Sequence, residues 1–120
     1  MCAAPVSDNQ LRDPHMTHAQ ALAQLIKDLQ RPFYQPVAYF EAFDGAEQHA
    51  CAHAAARGDL EAANKLHETL LPGWPWVVEP TDDGRYAALV GGEHRCFADL
   101  PARAWLLAIL HAKLAEAERQ

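Results

Sequence analysis

The chain predicts an α+β domain, a three-stranded antiparallel meander packed with a helical hairpin and a C-terminal helix. Three observations lead there. Up to Leu71 the apolar residues recur at helical spacing. After Trp76 the period changes to two, with Gly- and Asp-containing turns at short intervals. The chain then closes on a long Ala- and Leu-rich run. Helical and extended segments are grouped rather than alternating, which points to a layered α+β domain.

The stretch from Asp59 to Trp76 organises this order. Asp59 follows Gly58 and stands where an N-cap belongs. Glu61 places negative charge in the first turn and forms an i,i+4 pair with Lys65. Leu60, Ala63, Leu66, His67 and Leu70 share one face, and Pro72-Gly73 ends the helix. Trp74, Trp76 and Val78 then alternate as in a strand, and Pro75 favours a late strand start or an edge position. Both tryptophans are expected to be structural, with a ligand-stacking platform as the alternative. Trp76→Ala is expected to unfold the protein and Trp74→Ala to weaken it less.

The remaining elements follow in chain order. Residues 1–16 are polar and proline-punctuated and read as a flexible tail ahead of a single domain over residues 17–120, with Met16 as an alternative start. Thr17 and Gln20 have the form of a capping box, and Leu22, Leu25, Ile26 and Leu29 follow at i, i+3, i+4, i+7. Arg31-Pro32 stops that helix. Phe33, Tyr34, Val37, Tyr39, Phe40 and Phe43 give either a short strand over residues 37–40 or an irregular segment plugging the core. Residues 46–57 are alanine-rich and helical by propensity, and Gly58 closes them into a hairpin with the next helix. Thr81-Asp-Asp-Gly84 and Gly91-Gly92 are turns that separate strands over residues 85–90 and 93–97. Asp99 is placed to cap the last helix, with Pro101 in its first turn. Trp105, Leu106, Leu107, Ile109, Leu110 and Leu114 occupy most of that helix's circumference, so it needs cover from the sheet and from another helix.

Three stretches carry a resemblance. Gly58-Asp-Leu-Glu-Ala-Ala, Leu66-His-Glu-Thr-Leu-Leu-Pro-Gly-Trp-Pro-Trp76 and Pro101-Ala-Arg-Ala-Trp-Leu-Leu-Ala-Ile-Leu110 resemble small phage and prophage proteins of unknown function from alphaproteobacteria. Those are similar in turn to the phage α-β-α sandwich domain. The likeness covers residues 46–115. It implies a fold and a phage or prophage origin, and it brings no catalytic residues.

Composition narrows the function. The chain has 120 residues, half of them hydrophobic, enough for one core. Its net charge is −6 and Lys and Arg form no run, so direct nucleic-acid binding and anionic membrane surfaces are disfavoured. The three cysteines, Cys2, Cys51 and Cys96, are odd in number and widely spaced, which fits a reducing cytoplasm rather than a disulfide framework. No basic stretch followed by an apolar run marks a signal peptide, and no apolar run approaches the ~20 residues that span a bilayer.

Candidate chemistry is sparse. His49 and His53 share a helix face and could chelate a metal, but Cys51 points elsewhere, and two ligands do not make a structural zinc site. His94 and Cys96 share a strand face at i,i+2, a thiol beside an imidazole, with no oxyanion-type turn or orienting third group. Serine chemistry has only Ser7, in the tail. Asp82 and Asp83 are turn residues, and Glu41, Asp44 and Glu47 surround a loop. No catalytic, cofactor or metal site is therefore assigned. The expected function is that of a small non-enzymatic phage or prophage accessory protein that binds a protein partner or self-assembles as a homo-oligomer. One alternative is an acidic inhibitor of a nucleic-acid-handling host defence complex. Another is a His/Cys-dependent enzyme or metal protein.

Overall fold

A computed structural model describes residues 17–30, 43 and 45–119. The proposed tail, the segment over residues 37–40, and the side chains Ser7, Glu41 and Asp44 lie outside the described residues. Within them the order is α1 (His18–Leu29), α2 (Ala46–Ala56), α3 (Leu60–Leu70), β1 (Trp76–Pro80), β2 (Tyr86–Val90), β3 (His94–Ala98) and α4 (Pro101–Glu118). The class is α+β. The strands form an antiparallel meander in the order β1-β2-β3, with Val78 opposite Ala88 and Ala88 opposite Cys96.

Local chemistry sets most boundaries. Thr17 and Gln20 make the reciprocal capping box, the Gln20 amide donating to Thr17 Oγ1 and the Thr17 amide to Gln20 Oε1, both at 3.0 Å. Asp59 caps α3 by accepting from the Ala62 amide at 3.1 Å. Gly58 between α2 and α3 has φ +110°, a conformation that other residues rarely adopt and that lets the hairpin close.

Two expected contacts are replaced. Asp99 does not cap α4. Leu100 holds that position without a side-chain bond, and Asp99 lies 3.4 Å from Arg103. Lys65 takes Glu47 as its ion-pair partner at 2.8 Å, with Glu61 a weaker influence, because the hairpin brings α2 alongside α3. That pairing holds the Glu47 carboxyl below its usual range.

α4 is the centre of the molecule. Trp105, Leu106, Leu107, Ala108, Ile109 and Leu110 are all buried in succession. A helix apolar around its whole circumference needs cover on every side. It packs against β2 and β3 on one side and against α1, α3 and α2 on the others. Ala88, Val90, Cys96 and Ala98 supply the sheet's contribution to this core. Arg103 ties the hairpin to α4 by donating from Nε to the Ala56 carbonyl at 2.8 Å. Among the described residues no helix is long and apolar enough to cross a membrane.

Candidate docking groove at the β1 edge

The three tryptophans gather where α3, β1 and α4 meet, around His67, which is 2% exposed. The indole Nε1–H of Trp105 donates to His67 Nδ1 at 3.2 Å, and Nε2 lies 3.0 Å from the Trp74 carbonyl oxygen. An indole N–H can only donate and a carbonyl can only accept. The Nε2–H form of the imidazole therefore satisfies both partners. This buried relay links α4, α3 and the chain entering β1, and it fixes the plane of the Trp105 ring.

The two tryptophans on either side of Pro75 do not share the same fate. Trp74 is partly buried. Its ring closes over Gly91, where an added Cβ would lie 2.7 Å from the indole, and it stacks on His94 at 6.4 Å. Trp76 stacks on Trp105 with centroids 4.0 Å apart and planes 27° apart, yet 44% of it stays exposed. The expectation that Trp76 is the more deeply structural of the pair is corrected. It lies on an edge strand of the described sheet, where no described strand covers one flank of the ring.

Trp76 and Trp105 floor an open groove of about 550 Å³ with Leu60, Val78, Pro80 and Tyr86, and Glu61 and Asn64 supply its polar rim. Among the described residues, three of the four large apolar side chains that stay exposed, Leu60, Trp76 and Val77, belong to this groove or to the strand beside it. Leu60 was expected on the buried face of α3. It instead opens that face towards the groove, while Ala63, Leu66 and His67 carry the packing.

The chemistry-bearing clusters named from the sequence lie elsewhere. His49 and His53 stand together on α2 with ring centroids 4.5 Å apart. Cys51 turns into a cleft shared with Glu47, Lys65 and Thr69. Among the described residues no group of three or more His, Cys, Asp or Glu side chains converges as a metal site. Burial, and secondarily the charge of His53, holds the His49 imidazole below its ordinary value. Cys96 lies on the inner face of β3, and burial pushes its thiol up to about 11. It is therefore a neutral thiol near pH 7, whereas a thiolate is the nucleophile. The cavity that it lines, about 500 Å³, takes in Arg85, Arg95, Arg103 and His111 but not His94, His49 or His53. Arg85 and Arg95 flank the exposed Phe97 ring at 6.0 and 5.9 Å.

The position of Trp76 beside prolines was visible in the sequence. Its union with Trp105 was not, because no local pattern joins an edge strand to a helix so far along the chain. Compared with protein-family models, curated proteins and solved structures, the chain matches none.

Proposed function

We propose that this chain is a small non-enzymatic accessory protein of a phage or prophage that works by docking on another protein through the groove floored by Trp76 and Trp105. The observation that carries the reading is the exposed Trp76, stacked on an oriented buried partner in an apolar groove. Large rigid aromatics with little side-chain entropy to lose are the usual anchors of protein interfaces. The meeting of exposed Leu60 and Trp76 in one groove distinguishes this surface from scattered apolar residues, which need no explanation. The phage or prophage origin rests on the resemblance of residues 58–63, 66–76 and 101–110.

The test is affinity capture from an alphaproteobacterial host lysate, run in parallel with the parent protein, Trp76→Ser and Glu118→Ala. Urea melts check that each variant is folded. The parent and Glu118→Ala should retain a common protein that Trp76→Ser loses. An identical set of captured proteins for all three would remove the groove from the function.

A further inference from the structure

Resting on that reading, we infer that the partner docks as an extended strand added to the edge of β1 that no described strand covers, with apolar side chains beside Trp76 and Val77 and Lys or Arg side chains within reach of Glu61 and Glu79.

The backbone register defines what the edge offers. The Gly91 amide donates to the Pro75 carbonyl at 2.8 Å, and the Thr81 amide to the Arg85 carbonyl at 2.8 Å. In an antiparallel ladder, bonded and non-bonded pairs alternate. The pairs Val77 with Leu89 and Glu79 with Ala87 therefore carry the bonds between β1 and β2. The N–H and C=O groups of Trp76 and Val78 point the other way, off the edge. That is a template of two donors and two acceptors for another strand. Pro80 closes the template, since it has no N–H to offer.

The side chains point to the same occupant. Trp76 and Val77 are neighbours on one strand, so they lie on opposite faces of the sheet. Trp76 is 44% and Val77 50% exposed. A ligand lying in the groove alone would cover Trp76 and leave Val77 in water. A strand added at the edge covers both, because its own side chains alternate between the two faces.

Charge selects the kind of strand. Glu61 lines the groove, Glu79 shares with Val77 the other face of the same edge strand, and Asp82 and Asp83 are exposed in the turn that follows. Among the described residues no ion pair holds Glu79, and Lys65 pairs with Glu47 while the Glu61 charge acts on it only as a weaker influence. Residues 72–84 hold three carboxylates and no Lys or Arg. A second copy presenting this same edge would oppose like charges, which disfavours self-pairing. A segment bearing Lys or Arg among its apolar residues is complementary.

The test is to pan a library of random linear peptides displayed in extended form against the full chain. Amide hydrogen exchange is then followed at Trp76 and Val78 with the best synthetic peptide. Enriched peptides should alternate apolar and basic residues. In the free protein the Trp76 and Val78 amides should exchange fast, and with peptide they should become protected. Glu61→Lys and Glu79→Lys should each weaken binding about fivefold, the scale of one exposed ion pair, and added salt should do the same. Peptides that bind and perturb tryptophan fluorescence while both amides still exchange would overturn strand addition but leave groove docking intact. No enrichment, or enrichment of acidic peptides, would overturn the partner chemistry. Protection of both amides in the free protein, rising with its own concentration, would give the edge to a second copy instead.

Discussion

His67→Leu is the sharpest test of how the tryptophan cluster is held. Leucine keeps the apolar bulk of the site but can neither accept from the Trp105 indole nor donate to the Trp74 carbonyl. The indole N–H sits in a buried site and would lose its partner, a cost of about 1–3 kcal/mol. The Trp74 carbonyl is part-buried and regains some hydration, so its loss is nearer the net worth of one hydrogen bond, about 0.5–1.5 kcal/mol. Together these remove about 2–4 kcal/mol from a domain that holds about 5–15 kcal/mol. At roughly 4 °C per kcal/mol for a chain of this size, the melting temperature should fall by about 8–16 °C. Urea and thermal melts followed by tryptophan fluorescence and near-ultraviolet circular dichroism measure this. The double variant with Trp105→Phe separates the hydrogen bond from packing. With the indole N–H already removed, His67→Leu should cost at least about 1 kcal/mol less than in the parent. A His67→Leu protein that melts with the parent, or strictly additive costs in the double variant, would falsify the relay.

Other outcomes follow from the same geometry. Trp76→Ala should stay folded and lose about 2 kcal/mol, roughly half the penalty of truncating a fully buried aromatic. A urea melt showing collapse of that variant would return Trp76 to the core. Gly91→Ala should lower the urea midpoint more than Gly92→Ala. Both residues have positive φ, worth about 1–2 kcal/mol to an ordinary residue, but only the Gly91 Cβ would strike the Trp74 ring. Equal midpoints would mean that the ring gives way freely. The His49 and His111 imidazoles are both held below 6.5, chiefly by burial and then by the charges of His53 and His94 respectively. Between each lowered value and 6.5 the unfolded chain binds more protons than the folded one, so stability should fall as pH drops from 7 through that window. Cys96 works in the opposite range. Its thiol is raised from 9.0 to about 11, so the unfolded chain releases its proton first and stability should decline as pH rises between those values. Urea midpoints across pH measure both slopes, and His111→Gln or Cys96→Ala should flatten the corresponding limb.

Much of the local structure was legible in the sequence, and for physical reasons that are themselves local. A Thr hydroxyl and a Gln amide three residues apart can satisfy each other only at a helix start, and Thr17 and Gln20 do so. Asp59 caps α3 in the same way. Gly58, Gly73 and Gly84 all take positive φ at turns or helix ends where the residue pattern required it. The alternation after Trp76 and the short turns could build only a meander. The apolar circumference of α4 demanded burial on all sides, and the sheet and three helices provide it.

Tertiary structure decided which of several locally equivalent partners each side chain took. Lys65 could reach Glu61 along its own helix, yet it meets Glu47 once the hairpin closes. Asp99 could have capped α4, yet it lies against Arg103. Trp74 and Trp76 are two residues apart and looked alike. One is pinned over Gly91 and His94, while the other is left half in water at a strand edge. His67 read as one member of the apolar face of α3, and its meaning depends on Trp105, 38 residues on. Caps, turns and periodicity are set by neighbours along the chain, so the residues alone determine them. Exposure, edge position and long-range hydrogen bonding depend on which surfaces the packed elements leave uncovered, and they arise only when the chain has closed around α4.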